Sequence, residues 1–274
     1  MSSILTNNSA MVALQTLKSI NSDLSQTQGE ISTGKSVASA KDNSAVWAIS
    51  KVMESDVSGF NAISDSLSLG QATVAVASAG AEQITDLLTQ MKEKVVAATG
   101  ENVDHAKISA DVTELKNQIT SVIAASQFNG ANLLDTAGGD ITILSSLDRD
   151  ASGSVTASNI TVASVDFEAG LDLTTIDVTS AGAADTSLDE IETLIQAAVD
   201  GTAALGASQK RVEDQGNFVS SLTDAMKSGI GALVDADMEE ASARLQALQV
   251  QQQLGVQSLS IANQGAQSIL SLFR

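Results

Sequence analysis

The chain has 274 residues, enough for one or two ordinary domains with a sizeable core. It contains no Pro, Cys or Tyr and only one Trp, which excludes a disulfide scaffold, a thiolate metal site and an aromatic-rich centre. The formal charge of -19 is unevenly spread: from Thr136 to Ala204 a single basic residue, Arg149, faces twelve acids, whereas nothing before Lys18 and nothing from Leu245 to Phe273 is charged. An acidic centre argues against nucleic acid and against anionic membranes as partners.

The N-terminal segment places Ala10, Leu17, Leu24 and Ile31 at spacing seven, with Ala13 and Ile20 alongside. It lacks the basic region and continuous apolar run of a secretory signal. From Met53 a second series follows through Phe60, Leu67, Val74, Ala81, Leu88 and Val95, beside Ile63, Gly70, Ala77, Ile84, Met91 and Ala98. Two seams sustained this long predict one helix from about Ser44 to Thr99, about 80 Å long at 1.5 Å per residue. Gly100 offers a left-handed cap, and Asn102 or Asp104 a start for the next helix. That helix repeats Ile108, Leu115, Val122 and Val112, Ile119, and ends at Gln127-Phe128-Asn129-Gly130, where Asn-Gly suits a tight turn.

The texture then changes. Ile141–Leu144, Asn159–Val162 and Thr175–Thr179 are short β-branched runs between Gly, Ser, Asp and Asn, and predict two or three hairpin-like strands with an acidic surface. Ser187 with Glu190 three residues on reads as a capping box that opens a third long helix through Ile191, Ala198, Leu205, Val212, Val219, Met226 and Leu233.

The C-terminal segment carries Met238, Leu245, Gln252, Leu259, Ala266, Phe273 and Ala241, Leu248, Gly255, Ala262, Ile269. Asp237 with Glu240 makes its N-cap. Eight Gln between Leu245 and Phe273 would need partners that lipid cannot supply, so this is no membrane span. Its remaining faces, including Val250, Val256 and Ile261, also avoid charge. Helices with uncharged surfaces all round are expected to be enclosed by neighbours, and the ends to become ordered on assembly.

The fold class expected is therefore mainly α: long helical rods form a coiled-coil or helix bundle from both chain ends, with a small β-hairpin region in the middle. Three parts are expected: 1–43 with 234–274 as a terminal coiled-coil unit, 44–135 with 186–233 as a helical rod unit, and 136–185 as a short β-rich outward-facing segment.

Several motifs resemble those of one family. Ser32-Thr33-Gly34-Lys35 and Ser39-Ala40-Lys41-Asp42-Asn43-Ser44-Ala45 look like its N-terminal signature, and Ser126-Gln127-Phe128-Asn129-Gly130 its turn after the second helix. Val234-Asp235-Ala236-Asp237, Leu259-Ser260-Ile261-Ala262-Asn263-Gln264 and Ile269-Leu270-Ser271-Leu272-Phe273-Arg274 resemble its C-terminal signature. The family is bacterial flagellin, and the resemblance, in order over residues 1–135 and 186–274, points to a short form lacking large outer domains.

This resemblance implies a structural subunit that self-assembles into the helical flagellar filament and transmits motor torque for swimming. The paired termini would line the inner tube, with Leu17, Leu24, Ile31, Leu245, Leu248, Leu259, Ala262, Ile269 and Phe273 as assembly residues. It also implies type III export, a cytoplasmic flagellin chaperone on the C-terminal segment, contacts with filament cap and hook-junction proteins, and an extracellular location. Members sensed by the vertebrate flagellin-binding Toll-like receptor carry Arg-x-Arg-Glu-Leu on the first long helix. Here Gln90-Met91-Lys92-Glu93-Lys94 sets a charge where that run is apolar, which implies poor recognition. The alternative in the same architecture is a hook–filament junction protein.

Signs of chemistry are sparse. His105 is the sole histidine, and the span 136–185 holds no His, Lys or Cys, so neither a metal nor a triad constellation is available there. Asp148-Arg149-Asp150-Ala151-Ser152-Gly153 copies the first half of a calcium loop, but Asn159 stands where the bidentate Glu belongs. An acidic turn is expected. No enzyme activity, cofactor or metal is expected.

Overall fold

The computed structural model describes residues 7–150 and 152–271, with side chains described as far as residue 264. Six helices and four short strands follow in the order α1 (Asn8–Thr33), α2 (Ser44–Ala98), α3 (His105–Ala125), β1 (Gln127–Phe128), β2 (Ala131–Asn132), β3 (Ile141–Arg149), β4 (Val155–Val162), α4 (Phe167–Gly170), α5 (Ala181–Val234) and α6 (Met238–Ser271). The chain divides into two compact units, residues 1–55 with 225–274 and residues 56–224. No helix among the described residues is long and apolar enough to cross a membrane.

In the unit of residues 56–224 the periodic seam of α2 is the core. Ile63, Leu67, Val74, Ala81, Ile84, Leu88, Met91 and Val95 are buried, and α3 supplies Val112 and Ile119, α5 Ile191, Ala198, Leu205, Val212 and Val219. Each fully buried Leu, Ile or Val contributes about 1.5–3 kcal/mol, and the repeats keep such residues on one face over many turns. Lys94 on α2 meets Asp111 on α3, and Lys92 meets Glu192 on α5. These exposed pairs each contribute under about 1 kcal/mol, so apolar packing dominates.

The ends of the helices differ from expectation in two places. Gly100 stays out of the left-handed region; the last turn of α2 tightens instead, with Thr99 N–H donating to the Val96 carbonyl at 3.3 Å. Helix α5 starts at Ala181, with the Ser180 hydroxyl accepting from Ala183 N–H, six residues before the expected capping box. Ser187 lies inside the helix, and its hydroxyl accepts from Asp177 N–H and donates to the Asp177 carbonyl.

Two small antiparallel hairpins occupy the middle. Asn129 at φ 50° and Gly130 at φ 82° make the tight turn between β1 and β2, as the Asn-Gly pair predicts. Strands β3 and β4 pair from Ile141↔Val162 to Arg149↔Val155, with a bulge at Ser145. The third β-branched run forms no strand. A short 3-10 turn, Leu173–Thr175, leads into an extended segment lying between α3 and α5. Side chains satisfy its backbone: Lys116 Nζ donates to the Ile176 carbonyl at 2.7 Å, His105 Nδ1 lies 3.3 Å from the Val178 carbonyl, and Ser187 holds both polar groups of Asp177. Its apolar residues Ile176 and Val178 are buried. Burial pushes the Lys116 ammonium below lysine's ordinary range, and the nearby Asp177 and Asp172 carboxylates pull it partly back.

Candidate assembly interface

The terminal unit is built on α1 and α6, which run antiparallel. Asn7 Nδ2 donates to the Ala262 carbonyl at 2.9 Å, Gln252 Nε2 to Asn21 Oδ1 at 2.7 Å, and the backbones of Lys35 and Asp235 pair in an isolated antiparallel β-bridge. Down α1 the covered residues are Ala10, Ala13, Leu17, Ile20, Leu24, Thr27 and Ile31; along α6 they are Ala241, Leu245, Leu248, Gln252, Gly255, Leu259 and Ala262. Steps of three and four alternate in both, the spacing that keeps a seam facing its partner. Small residues let the backbones approach: a Cβ on Gly255 would sit 3.0 Å from Leu17 Cδ1.

Among the assembly residues expected from the sequence, Leu248 is buried, and Leu17, Leu24, Ile31, Leu245, Leu259 and Ala262 are half-buried. All seven lie on the seam between the two helices. Phe273 falls outside the described residues, and for Ile269 only the backbone is described.

The outer faces of the same helices are apolar and open. On α1, Met11, Val12 and Leu14 are 58, 64 and 57% exposed; on α6, Val250, Leu254, Val256 and Ile261 are 55, 60, 54 and 63% exposed. A groove of about 710 Å³ runs beside the seam, lined by Val12, Ala13, Ile20, Leu254 and Gly255. The heptad reading found the seam and part of the outer face of α6. It missed Met11, Val12, Leu14 and Leu254, whose signal was an apolar residue at positions where a solvated coiled coil carries charge.

The structure also brings together two motifs nearly 200 residues apart. Gly34, at φ 69°, ends α1 by donating its N–H to the Glu30 carbonyl at 2.8 Å, and its own carbonyl accepts from Ala236 N–H at 3.0 Å. Ser36 N–H donates to the Val234 carbonyl at 2.7 Å. Ser-Thr-Gly-Lys and Val-Asp-Ala-Asp thus form one junction. Asp237 caps α6 by accepting from Glu239 and Glu240 N–H. Beyond the junction, Asp42 Oδ2 accepts from Ser39 N–H at 2.8 Å and its hydroxyl at 3.0 Å, which holds the carboxyl below its ordinary value. Asn43 then accepts from Val46 N–H at the start of α2.

Such a protein, with long helices, a half-buried seam between its ends and open apolar faces on the same helices, is a subunit built to polymerise. Residues 4–138 match the bacterial flagellin N-terminal helical region, and residues 188–273 the bacterial flagellin C-terminal helical region. The chain belongs to the bacterial flagellin family. It is 44% identical over 278 residues to flagellin FljM of Caulobacter vibrioides, covering 100% of this chain and 99% of that protein. It is 40% identical over 285 residues to a flagellin of Brucella melitensis, covering 100% of both. A putative flagellar hook-associated protein from Vibrio parahaemolyticus has a similar fold, with a TM-score of 0.53 at 16% identity over 71% of this chain and 100% of that one. That likeness concerns the fold alone, and the hook–filament junction alternative has no specific support. The chain is a structural subunit that self-assembles into the bacterial flagellar filament.

Proposed function

We propose that assembly runs through the terminal unit: residues 1–43 and 234–274 line the inner tube of the filament, 44–135 and 186–233 form its wall, and 136–185 faces outwards. The observation that carries this reading is the uncovered apolar face of α1 and α6. Burying an exposed Val, Leu or Ile there is worth about 1.5–3 kcal/mol, and neighbouring copies supply the cover. The seam residues Leu17, Leu24, Ile31, Leu245, Leu248, Leu259 and Ala262 hold each copy's two ends in one register. Head-to-tail contacts that do not close generate an open helix, the form a torque-bearing filament needs.

The role is mechanical, with no catalytic step and no cofactor. The subunit leaves the cell through the flagellar type III apparatus, with a cytoplasmic chaperone on its C-terminal segment. It is placed beneath the filament cap, beyond the hook-junction proteins, in an extracellular filament. Leu248→Asp and Leu259→Asp place an unpaired charge in the seam, a costly burial. Each is expected to give a soluble helical monomer that salt and filament seeds fail to polymerise. Normal filaments from purified Leu259→Asp protein would refute the role of the seam.

A further inference from the structure

We propose that Asn129 is a site of spontaneous deamidation, at which the folded protein slowly acquires aspartate and isoaspartate without any enzyme. The reaction needs an amide carbon that the next residue's backbone nitrogen can reach. Of all the asparagines in the chain, only Asn129 is followed by glycine. Gly130 has no Cβ to crowd the approach of its own nitrogen to the Asn129 amide, and nothing beyond its chain neighbours lies within 4 Å of where a Cβ would stand. Both residues are exposed in the turn between β1 and β2.

Several other asparagines are occupied or shielded in ways Asn129 is not, and the exposed loop residue Asn102 is followed by the β-branched Val103. Asn132 is buried, donating to the Ile123 carbonyl and accepting from Leu134 N–H. Asn43 accepts from Val46 N–H, and Asn7 from Ala10 N–H. Asn117 is exposed but sits inside α3, followed by Gln118. The Asn129 side chain makes no hydrogen bond among the described residues. Strands β1 and β2 are two residues each, so few bonds need to open before the turn samples conformations that bring nitrogen and carbon together.

The step balances without an added reagent other than water and base. Hydroxide removes the Gly130 amide proton, the nitrogen attacks Asn129 Cγ, and the Cγ–Nδ2 bond breaks. The departing nitrogen takes up a proton and leaves as ammonia. Water then opens the cyclic imide at one of its two carbonyls, giving aspartate or isoaspartate. The aspartate product keeps the turn, because Asp-Gly suits it as well as Asn-Gly. The isoaspartate product routes the main chain through Cβ, and that extra carbon breaks the register Phe128↔Ala131 and Gln127↔Asn132. Asn132 is then pulled from the two bonds that join the end of α3 to Leu134.

The test ages purified full-length protein, as monomer and as filament, in heavy-oxygen water at several pH values, followed by peptide mass mapping. Asn117, Asn129 and Asn132 all lie between Lys116 and Arg149, so one tryptic peptide carries the site and two internal controls. Conversion at Asn129 is expected to run several-fold faster than at Asn117, to accelerate with pH, and to incorporate one heavy oxygen. Gly130→Ala, checked for helical content, is expected to slow it. Conversion at Asn129 no faster than at Asn117, or an unchanged rate in folded Gly130→Ala, overturns the proposal.

Discussion

The side-chain amide of Gln215 on α5 donates to the carbonyl of Ser145 on β3 across 2.8 Å. Ser145 is the bulged residue of the β3–β4 hairpin, where the register shifts between Leu144 and Ser146. The Ser145 hydroxyl turns to the Ser158 carbonyl at 3.0 Å, and the residue is buried. The glutamine thus supplies a donor to the backbone at the hairpin's irregularity. Gln215→Leu strands that carbonyl away from water and is expected to cost about 1–3 kcal/mol. Urea unfolding checks this; a midpoint equal to that of the wild type would mean that water reaches Ser145 after all.

The hairpin also rests on α2 through glycine. A Cβ on Gly59 would sit 2.7 Å from Leu147 Cδ1, and one on Gly70 2.3 Å from Ile143 Cδ1. Strand β3 lies directly on the helix backbone, where any side chain would lift it. Gly70→Ala gains about 1 kcal/mol of helix propensity but overpacks the contact by about 1–3 kcal/mol, so net destabilisation is expected. Gly206 on α5 has nothing within 4 Å of the same position. Gly206→Ala is expected to stabilise by about 1 kcal/mol. Thermal unfolding of the two variants should shift in opposite directions.

Much of this was legible in the sequence, because the long helices follow a repeat that needs no tertiary knowledge. The Asn129-Gly130 turn and the Asp237 cap were equally local. The start of α5 was not: Ser187 and Glu190 have the residue types of a capping box, but Ser187 spends its hydroxyl on Asp177. The Thr175–Thr179 run has strand composition, yet its position between α3 and α5 gives it Lys116, His105 and Ser187 as partners instead of a strand. In the assembly region the seam was readable by period. The meeting of Gly34 with Ala236 was not, since it joins loops far apart in the chain.

Acid is expected to loosen the turns before the helices. Four exposed carboxylates, Asp42, Asp150, Asp172 and Asp177, are held below the ordinary aspartate value of 3.8, chiefly by hydrogen bonds from Ser39, Ser152, Thr174 and Thr179 respectively. Because the folded values lie below the unfolded one, their contribution is complete above pH 3.8 and is lost as pH falls through the folded values. Lys116 is shifted in the same direction but acts at the alkaline end. Its folded value is below 10.5, so the unfolded chain binds more protons between the two values and stability rises with pH there. Carboxyl NMR titration of Asp42 is the check, and an ordinary value would remove it from the set.

The central claim is that open faces on the terminal helices drive polymerisation. Electron microscopy of seeded, salt-induced purified protein, with and without residues 245–274, tests it most directly. The full chain is expected to grow long filaments, and the shortened chain to stay dispersed while keeping the helical signal of residues 56–224. Filaments of normal form from the shortened chain would contradict the account.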